Sequence, residues 1–284
     1  METTLSCLRR LVPQLSPGDD VFLVDDGSTD GTGARVRAEF PTIHVIDADG
    51  SLYWAKGMRL AWEVAEKSGT YDFYLWLNDD VGLYEKSMVS VFEDWKSIGD
   101  NTAVLVGACG FDGKCTYGAT DSSDRKIVPN GGLQLASGWL NGNFVLVPSA
   151  AYKKVGKISS DYSHARADYD YAERLKLANI PFYVTSKYVG ECPFDFDGKI
   201  SGKSLAERWR LLFDPKVWNL HNLWVYRRRY NSFLHAIIYY LTVRKAAVIL
   251  LACDFEGTPT CGFSVGGTFV DYRSIWRKFC LLNV

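Results

Sequence analysis

The segment Phe73-Tyr74-Leu75-Trp76-Leu77-Asn78-Asp79-Asp80 runs without a break from apolar residues into two adjacent carboxylates. An uninterrupted apolar run predicts a strand covered on both faces, which is typical of parallel sheets. Ligands of open α/β sheets bind beyond the carboxyl ends of the strands, where Asp79 and Asp80 fall. Their oxygens suit Mg²⁺ or Mn²⁺ carrying a phosphate, although a solvated turn or the cap of the next helix explains them equally well.

Strands and helices alternate along the sequence on both sides of this segment. The alternation predicts an α/β fold with a doubly wound, mostly parallel sheet, flanking helices and right-handed crossovers. A first helix is expected before Pro17, because leucines recur there at helical spacing. The predicted strands lie near residues 21–24, 43–46, 73–77, 104–108, 141–147 and 182–184, and the predicted later helices near 33–40, 53–67, 85–95 and 167–178.

The composition is that of an ordinary globular protein, with 284 residues, 47% hydrophobic and 23% charged. This length suits one large domain, or one domain with a C-terminal appendage. Seven scattered cysteines without a Cys-x-x-Cys pair predict reduced thiols in the cytoplasm, and they argue against a zinc site or a disulfide framework. Residues 1–10 lack the pattern of a secretory signal.

Charge is distributed unevenly, with a net charge of +7 on residues 201–284 and −8 on residues 1–200. The basic part predicts an anionic partner, either a membrane leaflet or a phosphate-bearing substrate, with a solvated basic face as the alternative. Nucleic acid is not among the expected partners.

Two carboxylate motifs about fifty residues apart carry a family resemblance. The first is Val24-Asp25-Asp26-Gly27-Ser28-Thr29-Asp30 at a predicted strand end, and the second is Asn78-Asp79-Asp80. Together they resemble the nucleotide-sugar half of a GT-A glycosyltransferase of family two, the large inverting family. The resemblance implies that Asp25 or Asp26, with Ser28, binds the donor nucleotide. An ordinary Asp-Gly-Ser turn is the alternative.

The second motif takes the place of the family's Asp-x-Asp motif. The resemblance implies that Asp80 binds the Mg²⁺ or Mn²⁺ ion that stabilises the departing diphosphate. Asn78 and Asp79 are expected to contact the nucleotide sugar. Asn in the first position removes one formal charge from the site, which makes Asp79 an uncertain metal ligand.

A third segment, Asp49-Gly50-Ser51-Leu52-Tyr53-Trp54-Ala55-Lys56-Gly57-Met58, resembles the Gly-x-Leu-Trp-Trp segment of a subgroup that builds bacterial surface polysaccharides and includes rhamnosyltransferases. It implies donor contacts from Asp49, Trp54, Lys56 and Gly57. The amino end of the helix and Lys56 are expected to face the diphosphate. A capped amphipathic helix with an exposed lysine is the alternative.

The acceptor side of the resemblance lies further along the chain. Asn141 belongs to a strand-like segment, Trp139 to Pro148, that is similar to the subgroup's acceptor-side strand. In the segment His164 to Arg174, Asp168 takes the position of the family's general base, with a helix cap as the alternative. His164 is expected to ligate the metal or to be structural, and Asp170 is expected to pair with Arg174 or to cap the backbone.

The resemblance covers about residues 20–215 and implies a GT-A catalytic domain over 1–200, with a nucleotide-sugar half (about 1–110) and an acceptor half (about 111–200). Residues 201–284 form a basic, mostly helical extension. Leu205 precedes Arg208-Trp209 where processive synthases have Gln, which favours transfer of one sugar. The family opens with a strand before its first helix, so here either that strand is absent or another segment takes its place.

The apolar stretch Leu234 to Cys253 is interrupted by Arg244 and Lys245, which disfavours a membrane span. With Arg227-Arg228-Arg229 it predicts an amphipathic surface helix that binds an anionic membrane surface. Packing against the catalytic core or a homodimer partner is the alternative. The expected location is cytoplasmic, peripheral on the inner face of the cell membrane.

The expected function is inverting, metal-dependent transfer of one sugar from a nucleotide-diphosphate sugar donor to a glycan or polyprenyl-diphosphate-linked acceptor, in the synthesis of O-antigen or capsule. A non-catalytic sugar-nucleotide-binding or scaffold protein is the first alternative. A sugar-1-phosphate nucleotidyltransferase is less favoured, because no Gly-rich, Arg-containing phosphate loop occurs near the N-terminus.

Overall fold

The computed structural model describes residues 1–193, 204, 206–207, 210, 219–252, 264–265 and 268–269. The chain folds into two compact units, Met1–Phe196 and Asp197–Val284. The sequence segment around Leu205, Arg208 and Trp209 lies outside the described residues.

The first unit alternates helices with strands, as the sequence predicts. Its helices are α1 (Glu2–Leu11), α2 (Thr32–Glu39), α3 (Tyr53–Ser68), α4 (Ser87–Ile98), α5 (Ser149–Val155) and α6 (Ala167–Leu177), with a 3₁₀ turn at Val12–Gln14. Its strands are β1 (Phe22–Asp26), β2 (His44–Ala48), β3 (Phe73–Leu77), β4 (Gly82–Leu83), β5 (Val104–Phe111), β6 (Lys114–Tyr117), β7 (Gln134–Ala136), β8 (Phe144–Pro148) and β9 (Phe182–Glu191).

Seven of these strands form one mixed sheet, in the order β3-β8-β5-β9-β4, with β6 paired to β5 and β7 paired to β9. Strands β5 and β9 pair in parallel, and the other pairs of this sheet are antiparallel. Strands β1 and β2 form a separate parallel pair. The predicted α/β fold with flanking helices is confirmed. The sheet is mixed because β8 inserts antiparallel between β3 and β5, and because β4, β6 and β7 also pair antiparallel with their neighbours.

The gap between the two sheets is bridged by helices. Among the described residues, β1 pairs only with β2, and β3 pairs only with β8. Helix α1 spans the gap on one face, because Leu5 and Leu8 pack in the core cluster of β1 and β2 while Leu11 packs in that of the seven-stranded sheet. No described strand takes the place of the strand with which the family opens.

Burial differs between these strands. Strands β5 and β8 are buried along nearly their whole length, whereas β1 is half-buried throughout and β3 is half-buried except at Trp76. The amino ends of β1 and β3 meet where Tyr71 donates to Asp20 at 2.7 Å. The fully packed core therefore lies under β5 and β8, and the strands that carry the first two sequence motifs stand at its margin.

The second unit contains helices α7 (Leu220–Tyr230) and α8 (Phe233–Ala252) and a short antiparallel pair, β10 (Ser264–Val265) with β11 (Thr268–Phe269). Asn219 caps the amino end of α7, and its side chain accepts from the N–H of Asn222 at 3.0 Å. The two helices pack through Leu220, Leu223, Tyr239 and Tyr240. Among the described residues, no helix is long and apolar enough to cross a membrane.

Candidate functional site

Asp25, at the end of β1, holds the amino end of α2. Its carboxylate accepts from the N–H of Ser28 at 2.9 Å and from the N–H of Gly33 at 3.0 Å. A methyl group on Gly33 would overlap this carboxylate, so only glycine fits there. In the structure Asp25 therefore acts as a helix cap, and its predicted contact with a nucleotide stays a prediction.

Asp26 holds the loop that leads into α3. It accepts from the N–H groups of Gly50, Leu52 and Tyr53 at 2.9 to 3.2 Å. Gly27 permits the close approach of this loop, because its φ is +74° and a Cβ there would lie 2.8 Å from the nitrogen of Gly50. A carboxylate with three backbone donors is a structural anchor, and it fixes the residues just before Trp54.

Four other residues were predicted to contact the donor on this side of the site, and all except Gly57 are exposed to solvent. Asp49 accepts from both the N–H and the hydroxyl of Ser51, and these hydrogen bonds lower the pKa of its carboxyl group. Ser28 and Lys56 are exposed, while Gly57 is buried with its Cα side toward Val24 of β1. These hydrogen bonds of Ser28 and Asp49 join residues two or three positions apart, so they stabilise local turns.

The amino end of α3 is already occupied by protein groups. The backbone N–H of Tyr53 donates a hydrogen bond to Asp26. The N–H of Trp54 donates to His164 Nδ1 at 3.4 Å, and the N–H of Ala55 donates to the carbonyl of Ser163 at 3.1 Å. With the N–H of Leu52, which also donates to Asp26, all four N–H groups that an isolated helix leaves open are therefore used. The helix end differs here from the anion-binding end that the sequence predicts. Lys56 remains as a cation nearby.

The end of β3 carries the second motif. Asn78 Oδ1 accepts from the indole N–H of Trp54 at 2.7 Å, and Asp79 accepts from the hydroxyl of Thr4 at 2.6 Å. Asp80 is half-buried, and its Oδ1 atom is shielded from solvent. The side chains of Asn78, Asp79 and Asp80 therefore have different surroundings: the first contacts Trp54, the second contacts Thr4, and the third is partly shielded from solvent.

Buried thiols surround Asp80. Burial raises the pKa of Cys7 and of Cys109 to about 12, and the negative charge of Asp80 adds to both shifts. Burial also raises the pKa of Cys192, which hydrogen-bonds Asp80. These thiols stay protonated at neutral pH, so they are poor metal ligands and poor nucleophiles. The expectation of reduced cysteines fits this packing, and Cys7, Cys109, Cys115 and Cys192 are free.

A divalent metal ion fits at Asp80 only as an ion shared with a phosphate. Over the part of the chain that the structure describes, no group of three Cys, His, Asp or Glu side chains could hold a metal ion. Asp79 accepts a hydrogen bond from the hydroxyl of Thr4, and Nδ1 of His164 accepts one from the backbone N–H of Trp54. Mg²⁺ sites with one protein carboxylate complete their coordination with substrate phosphates and water.

The segment Asn141-Gly142-Asn143 joins the two sides of the site. The carbonyl of Asn143 accepts from the N–H of Asn78 at 2.9 Å, and the N–H of Asn141 donates to the carbonyl of Gly118 at 2.8 Å. Gly142 lies directly against Trp54, since a methyl group at Gly142 would overlap the six-membered ring of the indole. The strand predicted for the acceptor side therefore touches the motif predicted for the donor side.

Asp168 lies in the first turn of α6, and its carboxyl group has a raised pKa. The pKa rises to about 6 because packing around the carboxyl group removes solvent. The N–H of Tyr169, the charge of Arg166 and the N–H of Gly142 each offset part of this rise. A carboxylate with a pKa near neutrality, ionised at pH 7, has the properties of a general base.

Asp170, two residues later, plays a structural part. It is fully buried and pairs with Arg174 at 2.9 Å, as the sequence predicts. Arg174 also donates to the carbonyls of Val155 and Lys157, which ties α6 to the end of α5. This network fixes α6, and with it the position of Asp168.

Sequence reasoning missed three residues beside Asp168. Arg166 has a φ of +74° and lies over the ring of Tyr169 at 4.7 Å, and that ring stacks on Trp139 at 4.8 Å. The sequence shows an arginine and two aromatic residues, yet nothing in their spacing predicts that they stack. Arg166 and Tyr169 are buried in this stack, and Asp168 between them is half-buried.

The structure thus brings together Trp54, Asn78, Gly142, His164 and Asp168, which four segments of the chain supply. No protein-family model matches this chain, and neither does any curated protein. Among solved structures, the crystal structure of GalNAc-T7 with UDP, GalNAc and Mn²⁺ is similar, with a TM-score of 0.44 and 10% sequence identity. The similarity covers 74% of this chain and 44% of that one, so this chain spans less than half the length of that structure. A similarity of this size decides neither the ligand nor the reaction of this chain.

Proposed function

We propose that the protein is an inverting glycosyltransferase of the GT-A type that moves one sugar from a nucleotide-diphosphate sugar to a glycan or lipid-linked glycan acceptor. The observation that carries the proposal is Asp168, a half-buried carboxyl group whose pKa is raised to about 6 and which accepts from the N–H of Gly142. Gly142 in turn contacts the Trp54 ring. One base on one side of the donor is the requirement of a single displacement, which inverts the anomeric centre.

In the proposed reaction, the acceptor hydroxyl loses its proton to Asp168 while its oxygen attacks the anomeric carbon. The new carbon–oxygen bond forms as the bond between that carbon and the diphosphate breaks, and the nucleotide diphosphate leaves with the bonding electrons. Asp168 is ionised above pH 6 and ready to accept the proton. The Gly142 N–H and Arg166 keep its pKa from rising further.

Negative charge develops on the leaving diphosphate, and Asp80 would hold the Mg²⁺ or Mn²⁺ ion that stabilises this charge. Asn78 at the end of β3 and Trp54 at the start of α3, which are hydrogen-bonded to each other, would contact the donor. Asn141 would contact the donor from the segment before β8. The nucleotide of the donor would be contacted by residues at the end of β1, namely Asp25, Asp26 and Ser28. Further contacts to the nucleotide sugar would come from Asp49, Lys56, Gly57 and Asp79. His164 is proposed as a metal ligand only if its ring turns away from Trp54.

The second unit has an exposed apolar helix face close in sequence to a run of arginines. Leu234, Ile238 and Leu241 are exposed on α8, at 67%, 55% and 58% of their surface, and they recur on one face of the helix. Three consecutive arginines end α7. We infer that this surface binds an anionic membrane, where a polyprenyl-diphosphate-linked acceptor would be found. The product would be a bacterial surface polysaccharide built on the cytoplasmic face. A homodimer contact is the alternative use of the same surface.

A panel of nucleotide sugars tests the proposal. The purified protein is incubated with each donor, with and without Mn²⁺, and release of the nucleotide diphosphate and the anomeric configuration of the product are measured. We expect release from one donor class, loss of release in Asp80→Ala, and an inverted product. Donor binding without any release would favour the non-catalytic binding protein, and a retained configuration would exclude the single displacement.

Vesicles test the membrane part separately. We expect the protein to co-sediment with vesicles that contain phosphatidylglycerol and to remain in solution with phosphatidylcholine alone. Leu234→Glu with Ile238→Glu should abolish co-sedimentation, whereas Val89→Glu on the exposed face of α4 should not. Concentration-dependent dimerisation that the double variant removes, without vesicle binding, would favour the homodimer.

A further inference from the structure

Three side chains from two segments of the chain form a stack next to Asp168. The guanidinium of Arg166 lies 4.7 Å from the centre of the Tyr169 ring. The Trp139 ring stacks on the Tyr169 ring at 4.8 Å, with an angle of 12° between the two planes. All three residues are at most 9% exposed, and a cation binds an aromatic face more strongly when both are shielded from water.

The backbone of Arg166 is strained. Its φ of +74° is in the left-handed region, which glycine adopts without strain and arginine does not. Its carbonyl accepts from the N–H of Asp170 at 2.9 Å, so Arg166 begins α6 in this conformation. A glycine would begin the helix without this strain. Strain next to a buried titratable group points to a use for the arginine side chain.

The stack joins the two segments that donate hydrogen bonds to Asp168. The carboxylate of Asp168 accepts from the N–H of Tyr169 at 2.9 Å and from the N–H of Gly142. Trp139 lies three residues before Gly142, and its backbone exchanges hydrogen bonds with Thr120 at 2.9 and 3.0 Å. The contact between the two rings therefore holds both donor segments together around one carboxylate.

From this arrangement we propose that Arg166, Tyr169 and Trp139 form a clamp that positions the general base. The clamp holds the Arg166 guanidinium where its charge keeps the Asp168 carboxylate ionised. A protonated carboxyl group cannot take the proton of an acceptor hydroxyl, so the clamp sets the lowest pH at which the base works. The role of Asp168 as the base rests on the proposed function, whereas the effect of the clamp on its ionisation does not.

Charge around Asp168 supports this assignment. Among the charged groups that act on Asp168, Arg166 has the largest effect, and it lowers the pKa of the carboxyl group against the rise caused by burial. The segment of Gly142 presents the uncharged amides of Asn141 and Asn143, and His164 accepts at Nδ1 from a backbone N–H. Ion pairs join the charged side chains that follow on α6 and after α5, namely Asp170 with Arg174, Glu173 with Lys176 and Lys157 with Glu66.

Titration of Asp168 tests the clamp without any assay of activity. The carboxyl ¹³C shift, assigned by comparison with Asp168→Asn, gives the pKa of Asp168 in each variant. We expect Arg166→Met to raise this pKa by about one pH unit, the size usual for loss of a nearby opposite charge. Arg166→Lys keeps a positive charge and should raise it less. Arg59→Met is the control, since Arg59 is a half-buried arginine of α3 that donates to the carbonyl of Ile158, and it should leave the pKa unchanged.

Two variants of Tyr169 test whether the ring acts through the arginine. Tyr169→Leu removes the aromatic face and should raise the pKa of Asp168, whereas Tyr169→Phe keeps the face and should not. In the Arg166→Met background, Tyr169→Leu should cause no further rise, because its effect passes through the guanidinium. If Tyr169→Leu lowers the pKa equally in both backgrounds, the ring acts only by excluding water and the clamp is wrong.

Arg166→Gly covers the case in which Arg166→Met does not fold. It removes the guanidinium and relieves the strain at φ +74°, and it should raise the pKa of Asp168 as Arg166→Met does. An unchanged pKa in the folded Arg166 variants would overturn the inference and leave the proposed function intact.

Activity provides the second readout. The acidic limb of the kcat profile should move to higher pH by the same amount in Arg166→Met, with an unchanged kcat above pH 8 and an unchanged KM for the donor. A limb that stays in place while the pKa of Asp168 rises would show that the clamp does not serve the base. A native protein that releases no nucleotide from any donor would overturn the proposed function, and the titration would still decide whether the clamp keeps Asp168 ionised.

Discussion

The loop around Asp26 and the turn around Asp168 each hold a carboxylate, in different surroundings. Asp26 accepts from three backbone N–H groups, which fix the loop that leads to Trp54. Asp168 is packed among protein groups that remove water, and the pKa of its carboxyl group rises to about 6. The first arrangement builds a fixed scaffold and the second builds a group that can take up a proton.

The largest effect is expected from removing the proton acceptor. Asp168→Asn keeps the shape of the side chain but cannot act as a base, so turnover should fall about 10² to 10⁴-fold, the usual contribution of a general base. The donor Kd should change little, which a calorimetric titration checks. Glu173→Gln, on the same helix, removes one carboxylate with no expected loss of turnover. Full activity in Asp168→Asn would assign the base to another residue.

The next effect concerns the scaffold. Asp26→Ala leaves three backbone N–H groups without their acceptor, and we expect the free energy of unfolding to fall by about 3 kcal/mol. Urea denaturation measures it. Asp47→Ala is the control, because Asp47 pairs with Arg37 at the surface and its loss should cost no more than about 1 kcal/mol. If the free energy of unfolding fell equally in the two variants, the three backbone hydrogen bonds to Asp26 would not stabilise the fold more than a surface ion pair does.

Gly142→Ala tests the contact that joins the two regions. The added methyl group would overlap the Trp54 ring, so the indole must move, at a cost of about 1–3 kcal/mol in stability. The Kd for the donor should also rise, because the displaced indole of Trp54 no longer donates to Asn78. Gly132→Ala has no neighbour closer than 3.7 Å and should change neither quantity. If Gly142→Ala left the Kd for the donor unchanged, the position of Trp54 would have no effect on donor binding.

The smallest effect is a pH-dependent gain in stability. The native state holds the Asp168 proton up to about pH 6, whereas the unfolded chain releases it near pH 4. Between these values native stability falls as pH rises, so ionised Asp168 destabilises the native state at neutral pH. Asp168→Asn should therefore melt higher than the native protein at pH 7 and equally at pH 4. A constant difference across this range would contradict the raised pKa.

Local patterns predicted the secondary structure of the first unit well. The strand end at Leu77, the helix that starts at Tyr53 and the pairing of Asp170 with Arg174 all depend on residues close together in the chain. The first strand runs to Asp26, two residues beyond its predicted end. Sequence did not predict the separation of β1 and β2 from the larger sheet, because strand pairing depends on which backbone edges meet in space. It also predicted an open helix end at Tyr53, where the folded chain supplies Asp26, His164 and Ser163 as partners.

The sequence by itself determined where apolar runs stop and carboxylates begin, since hydrophobic periodicity is a property of neighbouring residues. The resemblance it carries singled out Asp168 for a chemical role, which stays a prediction. Only the tertiary structure decided which carboxylate is ringed by backbone donors and which is desolvated. It also placed Trp54 between Asn78 and His164, 24 and 110 residues away in the chain. Solvent exclusion and long-range hydrogen bonds arise from packing, and packing exists only once the distant segments have met.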